Sequence, residues 1–287
     1  MNGVVTVREF SLDDLERAAE FCDAARALDG AIEPFSQRLG LIATGPRAVL
    51  DLWRVAAGET GEIGGIAFVA QREAAQTPVL DFYAAVHPSL RRQGLGRALA
   101  GPALSSGAVL RSRVRDDQPA GRAFLGGLGF VESGAQLSLH WSGRKPELPA
   151  MPALRIRRAA PKDRPAIARL SDQAWAGAAE AFASRADEIA QLFAGEDRVL
   201  LIAESEGKPI GYLSGVQLGR TLGIEEVAVL PELRRMGIGR ALLGHALARE
   251  EGAVLSVSES NAAARALYRS LGFTQTARRM VMERRNE

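Results

Sequence analysis

The sequence predicts a mixed α/β chain of the α+β kind, built as two tandem copies of one domain, each a central mixed sheet flanked by helices. Three observations carry this. First, 287 residues with 47% hydrophobic and 24% charged side chains exceed the usual single-domain length of roughly 100–200 and can fill two cores. Second, VHPSLRRQGLGRAL, beginning at Val86, recurs as VLPELRRMGIGRALL, beginning at Val229, an offset of 143 residues that Gly129-Phe130 and Gly272-Phe273 preserve. Third, strand-like apolar runs alternate with helix-period patterns in each copy.

The copies open at VVTVREFSLDDLERA and ALRIRRAAPKDRPAIARL, with Val7 opposite Ile156 at an offset of 149, so the first carries six extra residues before its glycine segment. A short alternating strand begins each. In the first copy Ser11 caps the next helix with Asp14 at the capping-box position, and Leu12, Leu15, Ala18 and Cys22 share a face. In the second, Pro161 suits the first turn, and Ile167, Leu170 and Ala174 recur at helical spacing. Glu62–Ala70, Val199–Ala203 and Pro209–Val216 read as central strands. Val79–Val86 and Ile224–Val229 run as strands into the glycine segments; in the second copy a helix with Leu242, Leu243, Ala246 and Leu247 on one face follows. A last strand and helix lead to the Gly-Phe pair. In the first copy Gly101-Pro102 predicts a kink or an end in the helix after the glycines. Between the copies lies SGRKPELPAMPAL, whose Pro146, Pro149 and Pro152 read as a linker. Domains of 1–143 and 154–287 joined by 144–153 follow.

Charge excludes more than it assigns. Thirty-six basic residues against 34 acidic leave +2 overall. The first 143 residues carry −2 (14 basic, 16 acidic) and the remainder +4 (22 basic, 18 acidic). With three Trp and three Tyr in all to stack bases, the expectation is no nucleic acid. Cys22 is the single cysteine, so no intramolecular disulfide forms. Arg8, Glu9, Asp13 and Asp14 interrupt any secretory signal, and no apolar run approaches roughly 18 residues. The expectations are a cytoplasmic protein, no membrane and, with His87, His140 and His245 scattered, no metal.

The second glycine segment, Arg234-Arg235-Met236-Gly237-Ile238-Gly239-Arg240, stands between a strand and a helix. There glycine admits positive φ and close approach, while the first helical N–H groups and the dipole face an anion. A pyrophosphate suits that place. Arg240-Ala241 follows where a P-loop needs Lys-Ser/Thr, and Leu242 stands where a dinucleotide fingerprint wants a third glycine or alanine. The strand ending Val-x-Pro, the Arg-x-x-Gly-x-Gly turn and the later Asn261-x-x-Ala-x-x-Leu-Tyr268-x-x-x-Gly-Phe together resemble the GNAT superfamily of N-acetyltransferases from Leu154 to the end. Val4 to Trp141 resembles a divergent copy, and the tandem arrangement is similar to that of the mycothiol synthases.

The resemblance implies acetyl-CoA as cosubstrate and a primary amine of a small molecule or peptide as acceptor. It implies that the backbone of Val227, Ala228 and Val229 pairs with the pantetheine arm, that amides from Arg234 to Arg240 hold the pyrophosphate, and that Asn261 holds the pantetheine region. Tyr268 would be the general acid at the departing sulfur. The family's usual strand glutamate is replaced by Gly223; strand alternation puts Glu225 on the face of Gly223 and makes it the candidate base, while an ordered water is the other. Asn261 and Tyr268 fall opposite Gln118 and Leu125, so the first copy is expected to be non-catalytic: a residual CoA site, or a domain that shapes its neighbour's cleft. The non-enzymatic alternative is an acyl-CoA-binding sensor or assembly module. Oligomeric state and acceptor stay open; Ala31–Gly45 and Ala176–Arg185 are the candidate acceptor loops.

Overall fold

A computed structural model describes residues 5–28, 36–45, 48–72, 79–143, 145–146, 151–176, 189–190 and 192–285. It divides into two units, Met1–Ser133 with Met280–Glu287, and Gly134–Arg279.

The first unit contains, in order, β1 (Thr6–Glu9), α1 (Leu15–Leu28), α2 (Ser36–Thr44), β2 (Arg54–Ala57), β3 (Ile63–Arg72), β4 (Val79–Val86), α3 (Leu95–Leu104), β5 (Val109–Arg115) and α4 (Pro119–Gly127). Strands β1 to β4 pair antiparallel in sequence order, and β4 pairs parallel with β5. The predicted capping box is present: Asp14 accepts from the Ser11 N–H at 3.0 Å and takes two bonds of 2.7 Å from the Arg8 guanidinium. Trp53, fully buried, packs against Phe10 and Phe68, and its Nε1 donates to the Val69 carbonyl at 2.7 Å.

The second unit contains most of β6 (Val131–Trp141), then β7 (Leu154–Arg158), α5 (Arg164–Trp175), β8 (Arg198–Ser205), β9 (Lys208–Leu218), β10 (Thr221–Val229), α6 (Ile238–Leu247), β11 (Gly252–Ser258), α7 (Ala262–Ser270) and the start of β12 (Thr274–Arg284). Its strands run β12-β6-β11-β10-β9-β8-β7, antiparallel where β7, β8, β9 and β10 meet and parallel between β10 and β11. Strand alternation gives the sheet two apolar faces. One packs Leu213, Leu222, Ile224 and Leu255 under Leu242, Leu243 and Leu247 of α6. The other packs Leu200, Ile202, Tyr212 and Ala228 under Ile167, Leu170 and Ala174 of α5.

The units do not follow the linear division at 143 and 154. Residues 134–141 of β6, which end the first copy, pair antiparallel with β11 and bury Leu137, Leu139 and Trp141 in the second core. Met280 and Met282 of β12, which end the second copy, lie in the first core, where Glu283 pairs with Arg111. Each copy thus gives the end of its last strand to the other copy's unit. An alternating strand satisfies either sheet equally, so the pattern carries no record of which edge it joins. Of the expected linker, residues 144 and 147–150 lie outside the described residues.

Pro102 does not shorten its helix relative to the second copy. Helices α3 and α6 are each ten residues long and begin and end 143 residues apart. Pro102 stands in the last turn of α3, where its missing N–H removes one bond and shortens nothing.

Candidate active site

The parallel ladder between β10 and β11 stops early. Thr221–Ile224 pair with Gly252–Leu255, whereas the antiparallel ladder to β9 continues to Val229 opposite Gly211. The backbone of Val227, Ala228 and Val229 therefore keeps, among the described residues, an edge towards β11 that no strand occupies. Such an edge pairs with an extended ligand by strand addition.

The ladder stops at a bulge between Ile224 and Glu226. An inserted residue shifts the side-chain period, so faces repeat after three positions and not two. Gly223 shares a face with Val216, Glu226 lies opposite Ser214, and Ala228 opposite Tyr212. This is the α5 face. Glu226 thus joins Gly223 on that face, while Glu225, the inserted residue, is exposed and forms an ion pair with Arg198, which stands opposite Val216 on the same face.

Glu226 is half-buried and accepts a 2.7 Å hydrogen bond from the Tyr212 hydroxyl. Burial raises its pKa above the usual carboxylate range, the Tyr212 bond opposes the rise, and neighbouring Glu225 adds to it. Ser171 and Trp175 of α5 face the Tyr212 hydroxyl. Burial raises the pKa of Tyr212 too, so the phenol stays a donor.

Beyond β10, the loop adopts the geometry its glycines permit. Gly237 caps α6 at φ 88°, and Arg235 has φ 66°. Among the described residues the first α6 amide to bond back is Ala241, to the Gly237 carbonyl at 2.9 Å, so those of Ile238 and Gly239 stand free at the helix N-terminus. A Cβ on Gly239 would lie 3.4 Å from Leu267 and 3.9 Å from both Val227 and Val229, so loop, strand edge and α7 converge here. Two arginines are structural ties. Arg234 bonds the Ala174 and Val229 carbonyls, and Arg240 bonds Ser270 at 2.9 Å. Arg91 and Arg97 repeat this in the first unit, on Val86 and Gly127. Arg235 and Met236 are exposed.

Asn261 caps α7, its side-chain oxygen accepting from the Ala264 N–H at 3.0 Å. Asn261 itself is exposed. Tyr268, buried and edge-on to Phe273 with ring centroids 5.6 Å apart, has its pKa pushed up to about 12 by burial. It is therefore a protonated phenol at neutral pH. Amides, strand edge and phenol are the donors and acceptors that an acyl-CoA needs, so the residues fit acetyl-CoA.

The first unit keeps the glycine turn, with Gly94 at φ 79°, and the early end of its parallel ladder, since only Val79–Asp81 pair with β5. The chemistry differs. Strand β4 pairs with β3 without a bulge. Tyr83, opposite Phe68, stacks on it at 4.8 Å where the second unit has Glu226 opposite Ser214. Buried Leu125 replaces Tyr268, and Gln118 makes no cap.

Sequence reasoning named the glycine loop, Asn261, Tyr268 and Glu225 as candidates; it did not propose Glu226, Tyr212, Ser214 or Trp175, which the structure places beside them. The adjacent Glu225-Glu226 pair in a strand was the available signal, since a bulge lets one of two neighbours turn inwards. Of the candidate acceptor loops, 31–35 and 177–185 lie outside the described residues. Among the described residues no group of His, Cys, Asp and Glu is arranged to hold a metal, and no helix is long and apolar enough to cross a membrane.

Comparisons agree with this geometry. A model of the acetyltransferase (GNAT) family matches residues 165–273. The chain is 31% identical to a mycothiol acetyltransferase of Salinispora arenicola over 88% of this chain and 87% of that protein. It is 28% identical to a mycothiol acetyltransferase of Thermobispora bispora over 94% and 96%. Among solved structures, a GCN5-related N-acetyltransferase from Sphaerobacter thermophilus superposes with a TM-score of 0.72 at 19% identity, covering 98% of this chain and 95% of that one. A tandem GNAT protein from the clavulanic acid biosynthesis pathway gives 0.73 at 19% identity, covering 98% of each. The chain thus belongs to the GNAT acetyltransferase family and is an acetyl-CoA-dependent N-acetyltransferase.

Proposed function

We propose that the second unit transfers the acetyl group of acetyl-CoA to a primary amine of a small molecule or peptide. Acetyl-CoA supplies the acetyl group, its C–S bond being exchanged for a C–N bond to the amine. Val227, Ala228 and Val229 offer the pantetheine an edge, the amides from Arg234 to Arg240 hold the pyrophosphate, and the amide of Asn261 reaches the pantetheine. Glu226 takes the proton of the attacking amine, and Tyr268 gives its proton to the departing thiolate. The observation that supports this most is the bulge in β10, which turns Glu226 onto the α5 face at the point where the β10–β11 ladder opens. The same strand in the first unit is unbulged and carries Tyr83 there, which supports placing the chemistry in the second unit alone.

The test is release of CoA from acetyl-CoA by the purified chain across primary amines, including a mycothiol-type amine after the names of its relatives. Tyr268→Phe keeps the ring packing and removes the proton. It should lower turnover on the order of 10²–10⁴-fold, with acetyl-CoA affinity by calorimetry little changed. Wild-type turnover where chemistry limits the rate would remove Tyr268 from the mechanism.

A further inference from the structure

Two buried polar atoms beside Glu226 lack a hydrogen bond of full geometry among the described residues. Ser214, 2% exposed, lies directly opposite Glu226 in the β9–β10 ladder, and its hydroxyl makes no hydrogen bond among the described residues. Trp175, at the end of α5, brings its indole near enough to the Glu226 carboxylate and the Tyr212 hydroxyl to lower the pKa of each, yet among the described residues its buried Nε1–H meets no acceptor in full hydrogen-bond geometry. Buried donors left unpaired are rare because they forfeit their bonds to water. Two of them bordering one carboxylate need an explanation. The equivalent place in the first unit shows what a purely structural solution looks like: Phe68 and Tyr83 stack there, 4.8 Å apart, with no polar group at the position of Ser214.

From this we infer that Trp175 and Ser214 read the acceptor, and that the second unit selects primary amines with an uncharged oxygen on the carbon next to the amine-bearing carbon. The inference rests on the second unit being the acetylating site. With the amine at Glu226, an oxygen three bonds from its nitrogen can reach both groups. Trp175 can only donate, so that atom must accept; Ser214 can donate to a carbonyl or accept from a hydroxyl. A hydroxyl and a carbonyl are therefore both served. A carboxylate is not, because Glu226 supplies like charge, Arg198 is paired with exposed Glu225, and Arg234 is tied to the Ala174 and Val229 carbonyls. Free α-amino acids are disfavoured, while vicinal amino alcohols, 2-amino sugars and aminoacyl amides fit.

The experiment uses the full chain and amine pairs that differ in the oxygen: glucosamine against cyclohexylamine, glycinamide against propylamine, with glycine as the anionic arm. The oxygen-bearing member of at least one pair should exceed its counterpart in kcat/KM by on the order of 10²-fold or more, because its absence leaves both protein groups unpaired. Which pair responds separates hydroxyl from carbonyl. Trp175→Phe and Ser214→Ala should each collapse that ratio while acetyl-CoA affinity is kept. Ratios near one in the wild type, or unchanged in both variants, overturn the inference. A readout without turnover separates it from the acetyltransferase reading. The indole N–H resonance of Trp175, assigned by its loss in Trp175→Phe, should move on titration with the oxygen-bearing amine and not with its counterpart. Movement without turnover would mean that the recognition stands and the acetylating role fails; a stationary resonance with every amine would sink the recognition.

Discussion

At the scale of the residue, Glu225 and Glu226 are neighbours in sequence that one inserted position separates into different surroundings. Glu225 is exposed and paired with Arg198; Glu226 is half-buried, raised in pKa by desolvation and held down by the Tyr212 hydroxyl. A base of raised pKa binds a proton more readily, which is the property general-base catalysis uses. Tyr212→Phe tests the balance. The groups facing Glu226 are Glu225 on its own strand, Tyr212 on β9 and Trp175 on α5. Removing the phenol takes away a bond to the charged form, so the pKa of Glu226 should rise further. The acidic limb of kcat/KM, which requires the carboxylate, should then move to higher pH. Measuring both enzymes with one amine makes the amine's own titration common to both. Glu226→Gln should remove the limb's dependence on this group and lower turnover on the order of 10²–10⁴-fold. A limb at the same pH in wild type and Tyr212→Phe would detach Tyr212 from the base.

At the scale of the element, the two copies begin with the same device. Arg157 binds Asp163 with bonds of 2.7 and 3.0 Å and also binds Glu204, while Asp163 accepts from the Ala160 N–H at 2.7 Å. Arg8 and Asp14 repeat it in the first unit. The Arg157 bonds, the Ala160 N–H and the nearby cations bring the pKa of Asp163 down to about 2 against its burial. A carboxylate depressed on folding adds stability above its unfolded value near 4 and loses it as pH falls towards 2. Because Arg157 is partly exposed, the contribution is on the order of 1–2 kcal/mol. Asp163→Asn should lose that much at pH 7, and its stability, measured by urea melts from pH 7 to pH 2, should fall less steeply below pH 4 than that of the wild type. Parallel pH profiles would show that Asp163 carries no such coupling. Elements of this kind were legible: Ser11 and Asp14 announced the first cap, and Val86 and Val229 ended the strands at the glycine turns. The bulge was not legible. Period-two alternation assigns faces only while the strand is regular, and Glu225-Glu226 reads the same with or without an extra residue.

At the scale of the whole molecule, the repeat was legible and the membership of the units was not. The 143-residue offset places α3 and α6, Gly94 and Gly237, and Arg97 and Arg240 in matching roles. It could not place β6 and the end of β12, because each copy's last strand carries alternation that either unit can bury. The matching turns allow a controlled test of which unit works. Gly94 and Gly237 both cap their helices in the left-handed region, at φ 79° and 88°, and neither would bring a Cβ within 3.4 Å of another residue. Gly94→Asp and Gly237→Asp should therefore carry the same backbone cost, roughly 1–2 kcal/mol, in a conformation aspartate tolerates better than most residues. By contrast, a Cβ on Gly96 would meet the Phe124 ring at 2.8 Å, so a variant there would confuse packing with binding. With strain matched, a difference in function reports the sites. Gly237→Asp puts a carboxylate among the amides proposed to hold the pyrophosphate, and it should abolish turnover and acetyl-CoA binding at the second unit. Gly94→Asp should keep turnover within about threefold of the wild type, since Leu125 supplies no proton and the unbulged β4 offers no inward carboxylate. Melting curves would verify that the two variants lose similar stability, and calorimetry would count the acetyl-CoA that each retains. Loss of all turnover in Gly94→Asp, with the second unit still loaded with acetyl-CoA, would place part of the chemistry in the first unit and end the proposed division of labour.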